Sequence, residues 1–201
     1  MAMQFNIENF VEFMAAISSL FIGTFFILVS IFNQDIKAFI YLAGAFFTYV
    51  LSGLIFTPFL KGLIPDITQR SFVCDIVKFP FAESVSEPAL NSLFIGFTAS
   101  YLGAPMLLYD QMNYALMIFF FVLLFFDGFY RAKYKCNSML GIIFGTLIGI
   151  AGGVGWFYLL YSQGYESMLY FGETLSNNAI CTKPSAQKFR CDVYKNGQLI
   201  T

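Results

Sequence analysis

The fifty residues from Met112 to Tyr161 read MNYALMIFFFVLLFFDGFYRAKYKCNSMLGIIFGTLIGIAGGVGWFYLLY. They hold two apolar runs, 112–130 and 139–161, parted by a short polar hinge with Arg131, Lys133, Lys135 and Asn137. At a rise of about 1.5 Å per residue, roughly 20 helical residues cross the hydrocarbon core of a bilayer. Both runs approach or exceed that length, and neither alternates apolar and polar residues as a half-buried strand does. The hinge therefore reads as the turn between two membrane helices.

Three further runs repeat the pattern at 13–32, 38–60 and 89–109, each without a charged residue. The expected fold is an all-α, polytopic transmembrane bundle of five spans. Composition agrees: 58% of residues are hydrophobic and 11% charged, against about a quarter charged in a soluble domain. Aromatic residues reach 20%, mostly Phe, which suits lipid-facing helices and interfacial belts. Residues 163–201 are polar and too short for a core of their own, so they read as an extramembrane tail. The connection 61–88 is long, and its Ile67, Phe72, Val73, Ile76 and Val77 suit one side of a short interfacial helix.

Five spans place the termini on opposite sides. Lys61, Arg70, Lys78, Arg131, Lys133 and Lys135 then gather on the side of the N-terminus. The opposite short loops hold only Lys37, and the tail holds Lys183, Lys188, Arg190 and Lys195. An excess of Lys and Arg in short loops marks the cytoplasmic side, so the N-terminus and basic loops are expected there and the tail in a lumen or outside. Cys74 and Cys136 fall on the basic side, and Cys181 and Cys191 in the tail. A Cys181–Cys191 disulfide fits an oxidising lumen or exterior. The N-terminus carries Glu8 and Glu12 and no basic stretch, unlike a cleaved signal peptide; the first helix is expected to stay as an anchor.

Several chemistries are excluded or weakened. The chain has no histidine, which removes His-based acid–base and nucleophilic catalysis and most zinc and haem sites; no metal and no cofactor are expected. A net charge of -1 argues against a nucleic-acid partner. No C-x-x-C pair and no Walker-type phosphate loop occurs. Glu12, Asp110 and Asp127 are the acids nearest the membrane. All three sit near expected span ends, where water reaches them, so a small channel or transporter stays an alternative only. In the last span Gly141, Gly145, Gly149 and Gly153 recur every four residues. Such a small-residue stripe lets two helices approach closely, here more simply within the chain than between copies.

Three short patterns, taken together, resemble the type 2 phosphatidic acid phosphatase superfamily of membrane lipid phosphatases. Its third motif, S-R-x5-H-x3-D followed by glycines spaced by four, lies over Arg131, with Asn137 at the histidine position and Gly141 at the aspartate position. Gly145 and Gly149 continue the spacing. Its second motif lies over the stretch beginning EPALN, with Pro88 at the proline and Asn91 at the histidine. Its first motif falls near Lys61 and Arg70, though their spacing is two residues too long and no proline follows. The resemblance covers roughly 38–160, and the family usually has six helices. It implies a site on the basic side made of Lys61, Arg70, Asn91, Arg131, Lys133, Lys135 and Asn137. Both histidine positions hold Asn, which neither ionises near neutral pH nor serves as a nucleophile. The implied protein is catalytically silent, with no catalytic residue.

The expected function is thus a non-catalytic membrane subunit, structural or for assembly, in contact with lipids and other membrane proteins. It would hold an anionic headgroup through Arg131 and its neighbours, or use Arg131 as an interfacial anchor paired with Asp127 at i, i+4. The alternatives are an active lipid phosphate phosphatase and a small channel or transporter.

Overall fold

The computed structural model describes residues 7–58, 74, 88–170, 193–195 and 198–200. The described residues form five helices: α1 (Ile7–Asn33), α2 (Lys37–Leu51), α3 (Leu90–Leu108), α4 (Tyr114–Lys133) and α5 (Met139–Ser162). Short connections at 34–36, 109–113 and 134–138 make α1/α2, α3/α4 and α4/α5 antiparallel neighbours. Val193–Lys195 and Gln198–Ile200 pair as a small antiparallel ladder. Apart from that ladder, the described residues make an all-helical, polytopic membrane bundle.

Among the described residues, three helical segments combine the length and hydropathy of a membrane span: Lys37–Phe56, Tyr114–Lys133 and Met139–Ser162. The apolar stretch Ile17–Asn33 in α1 is shorter. α3 is absent from that set for a physical reason. It packs against all four other helices, and a helix surrounded by protein needs small and polar residues rather than lipid-soluble ones. Asn91, Ser92, Gly96, Thr98, Gly103 and Ala104 are all buried on it.

The closest pairing is α3 against α5. Gly141 accepts the Ala89 backbone N–H at 3.0 Å. A Cβ at Gly145 would overlap the Ala89 backbone, at Gly149 the Leu93 carbonyl, and at Gly153 the Phe97 carbonyl. The four-residue glycine stripe thus lies along α3, and backbone meets backbone there. On its other side α5 meets α2. Trp156 lies over Gly44 and donates its Nε1–H to the Ile40 carbonyl at 3.1 Å, and Gly152 sits against Thr48. Phe26, Tyr41, Phe97, Tyr101 and Tyr170 pack ring to ring toward the opposite end of α3 from Asn91.

Four helices end in the same way. In each, a residue at positive φ follows the helix: Gln34, Asp110, Lys135 and Gly164. After each, a 6→1 and a 5→2 backbone bond close the last turn, as in Asp35 N to Ser30 O, Gln111 N to Met106 O, Cys136 N to Arg131 O and Tyr165 N to Leu160 O. These are Schellman turns, and only one uses glycine. Asn113 and Ser138 then cap α4 and α5, accepting from the N–H of Leu116 and Gly141.

Pro58 and Pro105 act differently. Pro105 lies in the last turns of α3, which continues to Leu108. Pro58 has no N–H to return to the turn before it, and the chain there widens into a π segment, Ser52–Phe56, where the Thr57 N–H reaches back to the Ser52 carbonyl.

A disulfide joins Cys74 to Cys136. Cys181 and Cys191, the pair expected from the sequence to form a bridge, lie outside the described residues. The bond ties the α2–α3 connection to the α4–α5 turn, so the two connections share one end of the bundle.

Candidate functional site

α4 carries a single acid, Asp127, between FF and GFYR. The sequence reading put it where water reaches a span end. The structure corrects this: Asp127 is 2% exposed, because the start of α3 and the body of α1 cover it. An ionised carboxylate taken from water requires replacement donors, and three converge on it. Asn91 Nδ2 donates to Oδ1 at 2.5 Å, Ser92 Oγ to Oδ2 at 2.6 Å, and Arg131 Nε to Oδ1 at 2.9 Å.

The cluster extends at both edges. Asn91 Nδ2 also reaches Ser18 Oγ of α1 at 3.1 Å. Arg131 donates a second N–H to Asn137 Oδ1 at 3.0 Å. Ser18, Asn91, Ser92 and Asn137 are all buried, and the Arg131 side chain is 21% exposed. One carboxylate therefore links α1, α3, α4 and the α4–α5 turn.

Local sequence explains the geometry. Asp127 and Arg131 are four apart on one helix face. Asn91 and Ser92 open α3, where the first turn presents side chains toward the same end of the bundle. The Schellman turn at Tyr134–Cys136 reverses the chain so that Asn137 returns beneath Arg131. That turn places Lys135 in the left-handed region, φ 53°, a conformation costing an L-residue roughly 1–2 kcal/mol.

Asn91, Arg131 and Asn137, drawn from 47 residues of sequence (91 to 137), thus stand in one cluster. Lys133 and Lys135 are exposed at its rim, with the Lys133 Nζ 5.2 Å from the Tyr134 ring centre and 6.0 Å from that of Tyr130. Lys61 and Arg70 lie outside the described residues. Ser18 and Ser92 were not singled out from sequence; an isolated serine among apolar residues gives no signal until its partner is known.

The cluster gathers three donors around a resident anion. Asp127 occupies the position between Arg131 and the α3 amide and hydroxyl where an external oxyanion would otherwise sit. Among the described residues no three His, Cys, Asp or Glu side chains group to hold a metal ion. Fold and cluster together define a helical membrane protein with a buried, self-bonded polar centre. No protein-family profile, curated protein or solved structure matches the chain.

Proposed function

We propose that the chain is a non-catalytic integral membrane protein, a structural or assembly subunit that works by packing, within lipid, against other membrane proteins. The observation that carries this reading is the Asp127 cluster: its donors bond Asp127, and it bonds them, so the polar groups of the centre hold four elements together. Asn91 and Asn137 supply amides where a phosphatase of the resembling family would need ionisable imidazoles. The relationship to type 2 phosphatidic acid phosphatases is proposed as one of scaffold only. Anionic headgroups are assigned to the rim, where Lys133, Lys135 and the outer part of Arg131 face outward, rather than to the centre. The basic end is proposed to face the cytoplasm, on the short-loop charge excess.

The test is direct. Purified protein in nanodiscs containing phosphatidic acid should release inorganic phosphate no faster than protein-free nanodiscs, and should co-purify from its native membrane with stoichiometric membrane partners. Phosphate release above that background, lost in Arg131→Ala, would overturn the reading in favour of an active lipid phosphatase.

A further inference from the structure

The disulfide and the polar centre share one turn. Cys136 donates its backbone N–H to the Arg131 carbonyl at 2.9 Å, and the next residue, Asn137, accepts from the Arg131 guanidinium at 3.0 Å. On the other strand of the bridge, Cys74 Sγ lies 3.8 Å from the Tyr134 carbonyl, against the same turn. Cys136 is buried, whereas Cys74 is half-buried. The turn puts Lys135, a residue with a Cβ, in the left-handed region, so it is the strained link of the cluster.

We propose that the Cys74–Cys136 bond is a reversible redox clamp that holds the Tyr134–Asn137 turn closed over the Asp127–Arg131 pair. A small thiol such as glutathione attacks the half-exposed Cys74 sulfur. The Cys74–Cys136 bond breaks, a mixed disulfide forms at Cys74, and Cys136 leaves as a thiolate and takes a proton. A second thiol resolves the mixed disulfide. The balance is two thiols oxidised to one disulfide and one protein disulfide reduced to two thiols. With the tether gone, the turn relaxes from its left-handed residue. The contact of Asn137 with Arg131 opens, and water reaches the carboxylate. The chemistry of the clamp stands on this geometry alone. Its reversibility in the cell rests on the proposed cytoplasmic orientation of the basic end, where a disulfide is a sensing rather than a permanent bond.

The experiment uses the whole chain in nanodiscs, with and without a reducing phosphine, and follows backbone hydrogen exchange by mass spectrometry. Reduction should speed exchange across 131–141 by roughly tenfold, as for local opening, and leave 95–105 of α3 unchanged. Cys74→Ser should reproduce the reduced pattern without reductant. Absence of the disulfide in the oxidised protein would overturn the proposal. Equal exchange in both states would do the same. A rise spread equally over 95–105 would also overturn it, because the bond would then staple the whole fold. Membrane-impermeant maleimide added to sealed cells, with the reductant, tests the orientation separately. Labelling of Cys74 from outside removes the cytoplasmic reading and leaves the clamp geometry standing.

Discussion

α3 and α4 have nearly equal lengths, 19 and 20 residues, and opposite designs. On α3 the buried residues run almost continuously from Asn91 to Met106, and many are small or hydroxylated. On α4 only Phe120 and Asp127 are buried, and its outer surface is a band of phenylalanines. In water the apolar helix would be inside. In lipid the solvent is itself apolar, so the interior position goes to the helix that can approach its neighbours closely and bond them. α4 then contributes one polar side chain to the interior, and that side chain ties it to α3.

The largest test of this contrast compares two positions on α4. Asp127→Leu removes the acceptor for three donors and leaves the Arg131 charge partly buried; it should cost about 3–5 kcal/mol in reversible unfolding in mixed micelles. Phe125→Ala, two residues away and 64% exposed, should change stability by less than about 0.5 kcal/mol, as at surface positions. Equal effects would mean that α4 is not anchored through its acid.

A second pair probes α5. Gly149→Ala places a methyl against the Leu93 carbonyl and forces α3 and α5 apart, costing about 1–3 kcal/mol by overpacking. Gly155→Ala meets open space and should be neutral, or stabilising by up to about 1 kcal/mol through helix propensity. Thermal unfolding of the two variants side by side checks both. A smaller effect of opposite sign is expected at Lys135→Gly. Relief of the left-handed lysine should raise stability by about 1 kcal/mol, read as a higher unfolding midpoint. A lower midpoint would show that the lysine side chain holds the turn.

The sequence makes the helices legible because lipid-length apolar runs have few alternatives. The expected 139–161 became Met139–Ser162, and 112–130 became Tyr114–Lys133. The ends fell close to the limits of the apolar runs, Asn33 against 32, Leu108 against 109 and Ser162 against 161, but the caps were not legible. Gly164 is an ordinary cap, but Gln34, Asp110 and Lys135 adopt the same turn with no compositional signal, because the closing bonds are backbone to backbone. The Asp127–Arg131 pair was readable as an i, i+4 spacing. Its burial was not, since the cover comes from Ser18, Asn91 and Ser92, residues distant in sequence that meet Asp127 only after the bundle forms. The Cys74–Cys136 bond was hidden in the same way, by a 62-residue separation that charge counting and short-loop arithmetic do not address.

The measurement that bears most directly on the central claim is a double-mutant cycle on Asp127 and Arg131, by reversible unfolding. Each single change to alanine strands a partner, so the double variant should lose less stability than the two single losses added together, by about 2 kcal/mol. Losses that add to within about 0.5 kcal/mol would show that the two side chains do not hold the bundle through one another, and would contradict the account.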